Sequence, residues 1–231
     1  CAWVNPDSRQ IGAIIGKQKW ELNLTATTGT VTFYRAFSSA NPDWVTTAVV
    51  PLNTWTHVCV TYESGSIANN PIIYINGVVE TLTESTPPVG SAVAEDTYDL
   101  TVGAMDGGTT DFLDGKIDEA RIYNRILSIT EIQSLYTQGG GTKVDSAVSQ
   151  STGTGRLDSG LAGYWAMDNG SGTSATDSST NGNTGTLTNG PTWTTGQIGS
   201  AVTFDGSDDY IEAGSSTTLQ SSVFTYAAWI N

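Results

Sequence analysis

Basic residues are scarce: 9 Lys and Arg stand against 23 Asp and Glu in 231 residues, a net charge of −14. Nucleic-acid binding rests on neutralising phosphates with Lys and Arg, so this balance argues against it, and against an anionic membrane surface. No apolar run approaches the roughly 18 residues of a transmembrane helix. Charge of either sign amounts to 14%, well below the roughly 25% of ordinary soluble chains. The one histidine, His57, leaves a catalytic triad or a His-rich metal site without its imidazoles. Two cysteines, Cys1 and Cys59, are too few for a metal cluster, and counting does not say whether they bond. No stretch reads as a signal peptide, so any export signal is expected outside this sequence.

What is present is turn-rich and aromatic. Gly occurs 26 times, with 7 Trp and 9 Tyr to supply a core. Ser, Thr and Asn fill the space that charge leaves. This composition predicts short strands joined by many turns, in one large β domain or two small ones. His57-Val-Cys-Val-Thr-Tyr62 alternates, with Val58, Val60 and Tyr62 on one face. Ile72–Ile75, Asn76-Gly77 and Val78-Val79 read as strand, type I′ turn and strand. A further strand is expected over Lys116–Tyr123. One helix is expected over Ser128–Tyr136: Ser128 and Glu131 form a capping box, and Ile129, Ile132 and Tyr136 follow at helical spacing. Asn23-Leu-Thr25 and Asn169-Gly-Ser171 fit the glycosylation sequon, a motif too short to weigh.

Residues 140–158 are rich in Gly, Ser and Thr and read as a linker. They separate a segment 1–139 from a second patterned segment, 159–231. The two outer edges of these segments match: Cys1-Ala-Trp-Val-Asn5 is echoed by Ala227-Ala-Trp-Ile-Asn231, an offset of 226 residues. The expectation is one period of a tandem array.

Several motifs then resemble one family. Gly163-Tyr-Trp-Ala-Met-Asp168, Asp177–Thr186, Ala201-Val-Thr-Phe-Asp-Gly206 and Phe224–Asn231 resemble the opening of a laminin-G-like, concanavalin A-like lectin domain. Trp55–Tyr62, Ile75-Asn-Gly77, Asp114–Tyr123 and Asn124–Ser128 resemble its second half, which here comes first in the chain. The resemblance implies an all-β fold, a two-sheet antiparallel jelly-roll sandwich with one short helix. Residues 1–139 would be the C-terminal part of one domain, and 159–231 the N-terminal part of the next or of the same domain, permuted. Each half alone leaves bare apolar faces, so completion comes from this chain or from neighbours; the duplicated strand favours neighbours.

The pentraxins, relatives in the same superfamily, pair a Cys three residues after a strand Phe with one in a Trp/His-x-Cys strand. The resemblance therefore implies a Cys1–Cys59 disulfide and an oxidising, extracellular setting. Related domains often hold structural Ca²⁺. Asp177, Ser179, Asn181 and Gly182 match the first half of an EF-hand loop, but Thr188 stands where the bidentate Glu belongs. The expected calcium ligands are Asp177, Asn181, Asn183 and Asp118, against the plain reading of a polar Asn-Gly loop. Asp118 shares a face with Ala120 and Ile122 in one strand parity; in the other, Ile117 points inward. Both parities stay open.

For carbohydrate, Trp44 and Trp193 lie in loop-like contexts after Pro and are the candidate platforms, with packing as the competing role. Trp3, Trp55, Trp165 and Trp229 lie in strand patterns and are expected in the core. Related glucanases place acids in a Glu-x-Asp-x-Glu strand pattern that is absent here. Asp118 and Glu119, as strand neighbours, should point to opposite faces. The expected function is a non-catalytic extracellular structural or adhesive repeat whose partners are copies of itself, assembled head-to-tail as an array or filament. A carbohydrate-binding module is the alternative, and a glycoside hydrolase the third reading.

Overall fold

The computed structural model describes residues 2–3, 5–94, 97–105, 107–139 and 157–230. Cys1 and nearly all of the expected linker lie outside them, as do the side chains of residues 1–5 and 227–231, among them Trp3 and Trp229. In chain order the strands are β1 (Ala2–Trp3), β2 (Asn5–Pro6), β3 (Gly12–Lys17), β4 (Trp20–Leu24), β5 (Thr30–Arg35) and β6 (Asp43–Val49). Then come β7 (Thr56–Glu63), β8 (Ile72–Ile75), β9 (Val78–Val79), β10 (Leu82–Glu84), β11 (Leu100–Val102) and β12 (Asp114–Tyr123). Helix α1 (Ile129–Gly139) closes the first segment. The second supplies β13 (Leu161–Trp165), β14 (Ser174–Ala175), β15 (Gly185–Thr188), β16 (Thr192–Thr195), β17 (Ser200–Asp205), β18 (Tyr210–Gly214) and β19 (Val223–Ile230).

Two antiparallel sheets face each other, and both mix strands of the two segments. One runs β16-β17-β12-β19-β7-β8-β9, with β13 and β2 on β12 and β1 on β7; the other runs β10-β6-β5-β4-β3-β11-β18-β15-β14. This is the expected jelly-roll sandwich. The described strands of the two segments pack on one another in one sandwich. The physical reason is burial. Phe224 and Tyr226 of the second segment stack on Trp20 of the first, the Trp20–Tyr226 ring centroids lying 3.9 Å apart. Val58, Val60 and Tyr62 of β7 join the same core, as their alternation requires.

Helix α1 covers the outer face of the sheet that contains β7 and β12. Ile132 and Leu135 pack there with Cys59, Tyr74, Tyr123 and Leu127. Ser128 caps the helix: its backbone N–H donates to Glu131 Oε2 at 2.8 Å, while the Glu131 N–H donates to Ser128 Oγ at 3.4 Å. Asn76 and Gly77 have φ of 51° and 75°, the left-handed pair that a type I′ turn requires.

One register repeats. Along β7, Val58 pairs with Ile75 of β8 on one edge. It also pairs with Ala228 of β19 and with Ala2 of β1, and His57 pairs with both Trp229 and Trp3. On β12, Ile117 pairs with Ile230, and the next residues, Lys116 and Gly115, pair with Asn5 and Pro6. The structural register reproduces the sequence offset.

Candidate functional site

The centre of β12 breaks its own alternation. Glu119 takes a left-handed φ of 56°, and the register against β19 shifts between Asp118 and Arg121. This bulge also hands one edge of β12 over from β17, which pairs up to Ile117, to β13, which pairs from Ala120. Ile117, Ala120 and Ile122 consequently all enter the core. Both strand parities hold, one on each side of the bulge. The expectation that Asp118 and Glu119 face opposite ways is corrected for the same reason: both are buried.

Glu119 is neutralised in place. Its Oε2 accepts from Arg121 Nη2 at 2.5 Å and from the Tyr164 hydroxyl at 2.7 Å. The Arg121 guanidinium lies 4.1 Å over the Tyr164 ring. Burial opposes the Arg121 charge, but Tyr164 and Glu119 outweigh it and its pKa is raised. Burial likewise raises the Tyr164 phenol. His57 is fully buried, 5.8 Å from the Tyr136 ring, and burial, reinforced by the Arg121 charge, lowers it well below its ordinary value. Glu119, Arg121 and His57 are buried, and Tyr164 is half-buried.

Asp118 differs from its neighbour. Its Oδ2 accepts the Ile198 N–H at 2.9 Å, but Oδ1, also buried, has no hydrogen-bond partner among the described residues. Burial pushes its carboxyl up to about 9, and the charges of Glu119 and Asp168 add to the rise, against the pull of the Ile198 and Glu119 amides. The loop 196–200 lies directly over it. A Cβ at Gly196 would come within 2.6 Å of Asp118 Oδ2 and 2.5 Å of the Ser200 carbonyl oxygen, so only glycine fits. Asp168 enters from the turn after β13, with its Oδ1 accepting the Ser200 N–H at 2.9 Å. It follows Met167, another non-glycine residue at positive φ (53°).

The loop carrying Asp177 is closed by its own side chains. Asp177 Oδ1 accepts from the N–H groups of Tyr164 and Ser179, and Oδ2 from the Ser179 hydroxyl and the Asn183 N–H, at 2.7–2.9 Å. Four bonds use the carboxylate's ordinary accepting capacity. Asn181 donates to the carbonyls of Leu161 and Ala162, and Asn183 to that of Ala162 and to Thr218 Oγ1. Asp118 takes part in none of these bonds.

The candidate carbohydrate platforms fare differently from expectation. Trp44 is 1% exposed, stands on β6, stacks with Phe33 and meets Tyr62 at a tilt. It is core, and the loop reading is corrected: Pro42 ends the preceding turn one residue before the strand begins. Trp193 stands on β16, half-buried against the core, with its indole N–H donated to the Gly172 carbonyl at 2.8 Å. Trp165 is fully buried as expected, whereas Trp55 is only partly so, beside Ile198. Cys59 is buried and carries no free thiol; its expected partner, Cys1, lies outside the described residues.

Two features went unread in the sequence. Asp205, Asp208 and Asp209 gather their carboxylates within 4.8 Å in the turn between β17 and β18. Asp205 Oδ1 and Asp209 Oδ2 there accept the Ser207 and Asp205 N–H groups. A cleft of about 500 Å³ opens elsewhere among Arg35, Ser64, Ser91, Gln220 and Ser222. Its residues come from four distant stretches of sequence, which no local motif announces.

With this sandwich in view, the family comparison is direct. Residues 1–133 match the laminin-G-type family model of the concanavalin A-like lectin/glucanases superfamily. The chain belongs to that family. No curated protein and no solved structure matches it. The family fits a lectin-like or structural domain; such domains are generally non-catalytic and typically extracellular. No helix among the described residues is long and apolar enough to cross a membrane.

Proposed function

We propose that this protein is a non-catalytic, extracellular structural repeat that assembles head-to-tail with copies of its own period. The observation that carries the reading is the doubled register on β7 and β12. A strand has two edges, and β8 already holds one of them along Val58. β19 and β1 therefore claim one position with near-identical sequences 226 residues apart. In an array that double claim disappears, because the end of one period and the start of the next are the same strand. The buried state of Asp118 and Glu119, and the ion pair that holds Glu119, support the absence of hydrolytic chemistry.

A Cys1–Cys59 disulfide belongs to this proposal. In the sequence Cys1 aligns with Ala227, and Ala227 pairs with Cys59 across β19 and β7. Closing about 58 residues would stabilise by roughly 4 kcal/mol in the chain-entropy model. Periods that carry Ala in this position would lack the bridge. Imaging and mass measurement of native material test the assembly: repeating modules at one spacing are expected, and discrete 24 kDa monomers would overturn it. The cleft beside Arg35, where Ser64, Ser91 and Gln220 border an apolar wall of Ala92 and Val93, favours a second reading, a carbohydrate-binding module, for which saturable binding to a soluble glycan, lost on Arg35→Ala, is the test.

A further inference from the structure

We propose that the slot between β7 and β12 is a binding site for an extended peptide, and that its ligand is the Val223–Ile230 strand of a second copy of this chain. The inference rests on the reading of the protein as a repeat, and adds which strand the slot takes and what it recognises. β19 lies in that slot with both edges paired. Its eight residues run antiparallel to β7 from Glu63 to Thr56, while Ile117, Asp118, Arg121, Ile122 and Tyr123 of β12 pair on the other side. β1 reaches the same strand of the slot at Ala2 and Trp3. Both walls of the slot belong to residues 1–139, and β19 comes to it from beyond the linker. A strand with the same sequence from another copy would therefore meet the same surface.

The slot reads Phe224-Thr225-Tyr226, a tripeptide that occurs once in the sequence. Phe224 and Tyr226 point between the sheets, 1% and 2% exposed. Both stack on Trp20 of β4, and Phe224 also meets Phe33 of β5 and Tyr62 of β7, at 6.1 and 5.7 Å between ring centroids. Thr225 faces the other way and is fully buried. Its hydroxyl donates to the Arg125 carbonyl at 2.7 Å and accepts the Leu127 N–H at 2.9 Å, which ties the strand to the turn before α1. This is the chemistry of strand addition: the backbone ladder supplies affinity, and pockets for alternate side chains supply specificity. The echoed segment, Ala-Trp-Val/Ile-Asn, contains none of the three anchors, so β19 holds the slot against β1.

The test adds a synthetic peptide of residues 221–230 to the intact chain carrying Thr225→Val, which removes both hydroxyl bonds and weakens the resident strand. Refolded from urea with the peptide, the variant is expected to melt roughly 5–10 °C higher at a hundredfold excess over Kd. Native mass spectrometry should show a one-to-one complex. The same peptide with Phe224→Ala and Tyr226→Ala should bind roughly thirtyfold more weakly or worse. Phe224→Ala in the chain is a harsher lesion; where it abolishes the cooperative melt, the wild-type peptide should restore one. Failure of both variants to take up the peptide would overturn the proposal, as would an equal response to the wild-type and double-alanine peptides. The repeat reading stands or falls separately. Evenly spaced modules in native material without peptide uptake would keep the repeat and reject the exchangeable slot, and peptide uptake by discrete monomers would do the reverse.

Discussion

His57 sits in a strand between sheet core and helix, with no exposed surface and its imidazole held neutral. Its folded pKa lies below the unfolded value of about 6.5, so the unfolded chain takes up a proton that the native one refuses. The stability it contributes is complete above about pH 6.5 and is lost as pH falls below that, by up to about 1.4 kcal/mol per unit. Urea unfolding of wild type and His57→Gln between pH 8 and 5 should show that slope only in the wild type. Glu131 behaves in the complementary acid range. Its bonds to Arg125 and Ser128 hold it down to about 2, so its contribution is complete above the usual carboxylate pKa and is lost progressively as pH falls from there through about 2. Glu131→Ala should cost about 1 kcal/mol at neutral pH, measured by chemical denaturation. The cap was legible because two residues three apart define it. The bulge at Glu119 was not: alternation assumes that no extra residue intervenes, and a left-handed glutamate carries no sequence mark.

Strands and turns show the same division. The Asn76-Gly77 turn could be read directly, since few residue pairs tolerate two left-handed positions. Gly77→Ala should lower stability by about 1–2 kcal/mol, because φ there is 75° and the added methyl would lie 3.4 Å from Tyr136. Trp44 was misread because proline and aspartate precede it in a turn, while its partner Phe33 lies on another strand. Stacking against that ring is a tertiary fact. Trp44→Ala should cost about 3–5 kcal/mol in thermal or urea unfolding, far more than loss of an exposed platform would.

Over the whole molecule, spatial order departs from chain order. The central strands of one sheet, β12, β19 and β7, come from both segments, and Trp20 of one rests on Tyr226 of the other. Family motifs made the two halves legible, but their closure on each other depends on a shared core that no local pattern records. Residues 1–139 and 157–231 expressed separately should each lack a cooperative melt, and mixing them should restore one, with the far-ultraviolet dichroism of a β protein. A sharp transition in the first fragment alone would disprove that mutual dependence.

If the protein is the repeat proposed above, the doubled claim on β7 also gives the period a length but no origin. Sliding the boundary through the common Ala-Trp-Val/Ile-Asn strand exchanges residues that pair with the same partners, so each choice of phase encloses an equivalent module. Were genes for such periods to recombine within that strand, copies would be gained or lost whole. Every crossover point inside it would leave the hydrogen-bond ladder unbroken.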